Sequence, residues 1–169
     1  MPPLPPAPVQ DPDNGPRYFS AVELAQVQTL FDAILPGSPD SPGARDAAAA
    51  DYLDLLLARD AAVYYEIPGW RKRYAAGLAA LNAASLAGPT HKPLAALTQA
   101  EATALLAQLA QGALTTFPDA QSQRDFFATL RGHCIEGCLS DPRWGGNRGA
   151  VVWNWLGYPG GGAKTFARP

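Results

Sequence analysis

His133, Cys134, Glu136 and Cys138 fall within six residues and include both cysteines of the chain and one of its two histidines. Cys134 and Cys138 are four apart, so on a helix their thiols point the same way, one turn from each other. His133 is rotated by about 100° from Cys134 on such a helix, which strains any grip of the three on one ion. Tetrahedral zinc needs a fourth ligand, and no Cys-x-x-Cys or second histidine cluster supplies it. The haem-attachment pattern Cys-x-x-Cys-His is also absent. Three readings of the thiols stay open: small apolar core residues, a disulfide across one helical turn, or a disulfide to another chain. A small redox or metal-binding module using Cys134, Cys138 and His133 is the alternative reading of the whole chain. His133 and Glu136 have the spacing of an acid–base pair, but catalysis also requires an oriented nucleophile or a cofactor pocket, and neither is evident. No catalytic, cofactor-binding or metal-ligating residue is assigned.

The next twenty residues are rich in aromatic side chains and glycine. Trp144, Trp153, Trp155 and Tyr158 lie within fifteen residues, bracketed by Asp141-Pro142 and Pro159-Gly160. Trp and Tyr anchor protein interfaces because each buries a large area while few rotors are frozen. Trp153 and Trp155, two apart, cannot both face one helix stripe, so the indoles divide between this chain's own core and a partner. Gly145-Gly146 and Gly160-Gly161-Gly162 lack the Gly-x-Gly-x-x-Gly or Gly-Lys-Ser/Thr context of a phosphate loop. The candidate partner interface is Asp141, Pro142, Arg143, Trp144, Gly145, Gly146, Asn147, Trp153, Trp155, Gly157, Tyr158, Pro159 and Gly160, within a docking segment spanning 139–162.

The elements that position these residues read as helices. Ser20 with Glu23 fits a capping box, and Leu24, Val27, Phe31 and Ile34 follow as one apolar stripe that ends at Pro36-Gly37. Ser41 and Pro42 suggest the start of a long second helix running to about Tyr65, with Ala49, Tyr52, Leu53 and Leu56 on one face. Asp51, Asp54, Arg59 and Asp60 fall on its polar side, Asp54 as a solvated flank. Pro68-Gly69 reads as a break before a third helix carrying Trp70, Tyr74, Leu78, Leu81 and Ser85. Arg71-Lys72-Arg73 at its start reads as three solvated side chains, or as the complement of an acidic patch. Thr98 with Glu101 opens a fourth helix that Gly112 closes, and Phe117-Pro118-Asp119 leads into a fifth. Phe126 or Phe127, Leu130, Cys134 and Cys138 line one face of that fifth helix. The expectation is an all-α chain: a Pro-rich disordered arm over 1–17, then a single compact helical domain over 18–169 with about five helices and an irregular C-terminal segment.

Composition narrows the partners. The 169 residues carry a net charge of -2 with thirteen Lys and Arg dispersed along the chain, so there is no footprint for nucleic acid. No apolar run approaches the roughly 20 residues that span a bilayer, so membrane contact is expected only through a complex. Met1-Pro2-Pro3-Leu4-Pro5-Pro6 has neither the basic nor the apolar region of an export signal, which makes a cytoplasmic location one expectation.

The block Cys138-Leu139-Ser140-Asp141-Pro142-Arg143-Trp144-Gly145-Gly146-Asn147, then Trp153 and Leu156-Gly157-Tyr158-Pro159-Gly160, resembles the gluconate 2-dehydrogenase subunit 3 family. Weaker echoes are Phe31-Asp32-Ala33-Ile34-Leu35-Pro36 with Pro42-Gly43-Ala44, Ala50-Asp51-Tyr52-Leu53-Asp54, and Phe126 to Glu136. The resemblance covers about Phe19 to Gly160. It implies a non-catalytic helical subunit without a cofactor of its own. The implied partner is a FAD-dependent large subunit of the glucose-methanol-choline type, often joined by a cytochrome c subunit carrying haem. It also implies export by a twin-arginine signal and a periplasmic complex. The start of this chain departs from that pattern by showing no such signal.

Overall fold

Six α-helices run through residues 17–158, which the computed structural model describes, and no strand occurs among those residues. They are α1 (Ala21–Ile34), α2 (Ala49–Ala58), α3 (Ile67–Ala87), α4 (Gln99–Gln111), α5 (Ala120–Leu139) and the short α6 (Val151–Trp155). The all-α expectation holds, with α6 as an extra helix inside the segment expected to be irregular. The arm before Arg17, and Pro159 and Gly160 of the candidate interface, lie outside the described residues.

Local chemistry sets several helix ends. Ser20 Oγ accepts from Glu23 N while Ser20 N donates to Glu23 Oε2, so the capping box satisfies two otherwise orphan donors of α1. Thr98 and Glu101 do the same for α4, which Gly112 ends at φ 75°. Asp119 caps α5 by accepting from Ser122 N at 2.6 Å.

Helix α5 lies centrally and packs against α1, α2, α3 and α4. Its buried stripe, Phe126, Leu130, Cys134 and Cys138, meets Phe31 of α1, Leu53 of α2 and Tyr74 of α3 in one core. Each fully buried Leu or Phe contributes about 1.5–3 kcal/mol of transfer free energy, so this stripe holds the bundle together.

Four expectations are corrected. Helix α2 begins at Ala49, not Pro42, and stops at Ala58. The residues before it form turns that brace the end of α1: Ala44 N donates to Leu35 O, Gly43 N donates to Asp46 Oδ2, and Ala48 sits left-handed at φ 52°. Beyond α2, Arg59 turns extended and Asp60 Oδ1 accepts from Ala62 N, which starts a new turn. Pro68-Gly69 lies inside the first turn of α3, where a missing proline N–H costs nothing. The basic run is only partly solvated. Arg71 Nε donates to Leu57 O and its Nη2 to Arg59 O, each at 2.8 Å, so a cation satisfies the carbonyl end of α2. Arg73 donates to Thr129 Oγ1.

Asp54 is the sharpest departure. Instead of a solvated flank it is fully buried, with 0% of its surface exposed. Its Oδ1 accepts from Tyr18 N and Phe19 N, each at 2.8 Å, and Oδ2 lies 3.4 Å from Arg17 Nη1. A carboxylate on the inner face of α2 thereby fixes the chain as it enters α1. Charge-assisted bonds to two backbone donors offset the cost of its desolvation.

Candidate partner interface

Of the four residues that first suggested chemistry, His133 and Glu136 are each held by other partners. His133 is buried, with Nδ1 2.9 Å from the Tyr74 hydroxyl. Its ring stacks on Tyr74 at 5.7 Å and meets Trp70 edge-on at 4.7 Å. Burial, and then the positive charge of Arg73, push its pKa down to about 4, so the imidazole is neutral at pH 7. Glu136 bonds Tyr52 instead of His133, and burial raises its carboxyl above the ordinary range. The Tyr52 hydroxyl is in turn pushed up to about 12, by burial first and then by Glu136. The acid–base pair suggested by spacing is therefore not brought together.

Cys134 and Cys138 are buried free thiols that hydrogen-bond to each other. Cys134 Sγ also lies 3.8 Å from Phe31 O. Its bond to Cys138, followed by burial, raises the Cys134 thiol well above its ordinary value. A thiol that resists ionisation is a poor nucleophile. Among the described residues, no three His, Cys, Asp or Glu side chains converge closely enough to hold a metal ion.

The aromatic and glycine segment divides in two. Gly145, Gly146 and Asn147 face inward and are buried in this chain's own packing. Gly145 adopts φ +93°, and a Cβ there would stand 2.4 Å from Leu55 Cδ1. A Cβ on Gly146 would stand 2.2 Å from Gly137 O and 2.9 Å from Tyr52 Cβ, so only a glycine lets the loop pass between α2 and α5. Asn147 completes the latch: its N donates to Gly137 O, its Nδ2 to Ser140 O, and its Oδ1 accepts from Val152 N at 2.9 Å. Arg148 N then donates to Ala47 O.

Trp144 stands at the edge of that latch. It ends the 3-10 turn Pro142–Trp144, which Asp141 caps by accepting from Arg143 N. The Arg59 guanidinium lies 4.4 Å above its ring. Arg143 also bonds Asp141 Oδ2 at 2.8 Å and holds that carboxyl below the usual carboxylate range.

The outer half presents apolar surface. Trp153 Nε1 donates to Leu139 O, using a carbonyl that the end of α5 leaves without a helical donor. Trp155 Nε1 donates to Asp40 O at 2.7 Å. Both indole N–H groups thus turn inward. Trp155, Leu156 and Tyr158 are 55–56% exposed and Leu139 is 45% exposed. Tyr158 meets Trp153 edge-on at 5.1 Å, and an open groove of about 470 Å³ runs between Leu139, Trp153, Leu156, Gly157 and Tyr158. Exposed apolar side chains gathered in one place mark interaction sites on soluble proteins.

Other contributors are absent from the sequence-based site. Val63 and Tyr64, on the turn after α2, are about half exposed and face Trp144 across a cleft. The signal was present, since Val63-Tyr64-Tyr65 is an aromatic run outside any apolar stripe. No helix among the described residues is long and apolar enough to cross a membrane.

Neither the curated proteins nor the solved structures yielded a match. The family model described as gluconate 2-dehydrogenase subunit 3 matches residues 21–160, from the first turn of α1 through the outward-facing aromatic segment. The chain belongs to the gluconate 2-dehydrogenase subunit 3 family.

Proposed function

We propose that this chain is a non-catalytic accessory subunit that binds, stabilises and escorts for export the FAD-dependent subunit of a sugar or polyol dehydrogenase. In this reading the partner is of the glucose-methanol-choline type and holds the flavin. A cytochrome c subunit with its haem completes the complex, which works in the periplasm. The observation that carries the proposal is the outward apolar strip of Leu139, Trp155, Leu156 and Tyr158 on a chain whose family is a dehydrogenase subunit. With their indole N–H groups already bonded inside the chain, Trp153 and Trp155 offer carbon surface without unpaired donors, which suits burial against another protein. A partner bound only in its folded state is stabilised by mass action, by about 2.7 kcal/mol when the subunit is present at about 100 times the dissociation constant.

Co-expression with the FAD-dependent dehydrogenase subunit of the same genome tests this. The two chains are expected to co-purify, and the dehydrogenase is expected to lose soluble yield, flavin content and dye-linked activity when this chain is omitted. Unchanged yield, flavin and activity in its absence would overturn the proposal.

A further inference from the structure

Helix α2 holds two carboxylates one turn apart, and both take hold of distant chain. Asp51 Oδ1 lies 3.2 Å from Arg17 Nη1, while its other oxygen, Oδ2, lies 3.5 Å from Arg148 Nη2. Asp54, wholly buried, accepts from Tyr18 N and Phe19 N and lies 3.4 Å from the same Arg17 nitrogen. Residues 17–19, which lead into α1, and Arg148, which leads into α6, therefore meet at a single side chain. We propose that Asp51 couples these two segments, so that docking of residues 17–19 on α2 steadies α6 and the outward strip it carries, and loosening either segment loosens the other.

Charge and ordering give the coupling its sign. Two guanidiniums on one carboxylate repel each other, but Asp54 adds a second negative charge beside Arg17, so two cations face two anions. With each arginine on a different oxygen, whichever docks first fixes the Asp51 side chain for the second, which then loses less conformational freedom on docking. Linkage makes the effect reciprocal.

The backbone around Arg148 is the part able to respond. Asn147, Gly149 and Ala150 all lie in the left-handed region, at φ 42°, 65° and 56°. A left-handed alanine is strained, because its Cβ crowds the following carbonyl oxygen, and it persists only where its surroundings hold it. Here it is held by the bond from Arg148 N to Ala47 O at 3.1 Å, by the bond from Val152 N to Asn147 Oδ1 at 2.9 Å, and by the ion pair of Arg148 with Asp51. Weakening the ion pair lets the strained turn open more often, and α6, five residues long, opens with it.

Amide hydrogen exchange of the free full-length chain, resolved by residue, tests this. Arg17→Met keeps the aliphatic stem and removes the charge. It is expected to speed exchange about threefold at Val152 and Leu156, the scale of a partly exposed ion pair, as well as at Tyr18 and Phe19. Arg148→Met is expected to speed Tyr18 and Phe19 in return. Leu105 and Leu109, inside α4, should keep their rates in both variants. Added to Asp51→Asn, Arg17→Met should change Val152 no further. Unchanged exchange at Val152 and Leu156 in Arg17→Met would overturn the proposal. Equal acceleration at Leu105 and Leu109 would also overturn it, since that marks a general loss of stability. So would an undiminished effect of Arg17→Met in the Asp51→Asn background, which routes the coupling around Asp51.

Discussion

Residues 145–147 and 153–158 each combine glycine with an asparagine, and the second adds two indoles, yet they do opposite things. In the first stretch the side chains are absent or turned inward, and Gly146 and Asn147 fasten α2 to α5. In the second, both indoles turn their N–H edges against the body, while Trp155 shows its ring to solvent and the half-buried Trp153 packs on Tyr158. The difference lies in where the polar atoms go. A segment whose donors and acceptors are all used inside one chain can be either latch or contact surface, and the steric room at its glycines decides which.

The comparison would be broken most directly at Gly146. Gly146→Ala forces a methyl group into Gly137 O, and should cost about 3 kcal/mol or more by urea unfolding. A loss under about 1 kcal/mol would mean that the loop is not a latch. Next in size is an effect on α5, against which both stretches lean. His133 takes up its proton only near pH 4 in the folded chain, against about 6.5 when unfolded, so the unfolded state binds more protons between those values. Stability from this group is complete above about pH 6.5 and falls with acidification towards about pH 4. The loss is about 2 kcal/mol between about pH 8 and about pH 5. His133→Gln should flatten that slope when denaturation midpoints are compared at the two pH values; an unchanged slope would remove His133 as its source. The smallest effect belongs to the outer stretch. Leu156→Asp should shift stability by less than about 0.5 kcal/mol, because the side chain is exposed, while it abolishes co-purification with the dehydrogenase subunit. Loss of stability comparable to Gly146→Ala would erase the distinction between the two stretches.

Features encoded within a few residues were legible before the fold was known. Ser20 with Glu23, Thr98 with Glu101, and Gly112 announce helix ends because their bonding partners lie one turn away. The stripe Phe126, Leu130, Cys134, Cys138 was legible from spacing alone. What escaped depends on distant chain. Asp54 looks like a polar flank until Tyr18 and Phe19 arrive with their N–H groups. Alanine at position 48 favours a helix by propensity, but the bonds of Ala44 and Ala49 across that turn override it. In the candidate site, the sequence excluded a phosphate loop at Gly145-Gly146, but the groups these glycines make room for, Leu55, Gly137 and Tyr52, could be known only from packing. Tyr64 was missed for the same reason: its relation to Trp144 exists only once the turn after α2 comes alongside the end of α5.

Helix α2 draws on both ends of the described chain. Asp51 pairs with Arg17 at 3.2 Å and with Arg148 at 3.5 Å, and the Ala47 carbonyl just before the helix waits for Arg148 N. During synthesis, therefore, α2 emerges from the ribosome long before the segment around Arg148 that completes its surroundings. Until residues 145–148 are made the loop cannot fasten α2 to α5, so the last contacts of α2 close only when nearly all of the described chain has been synthesised.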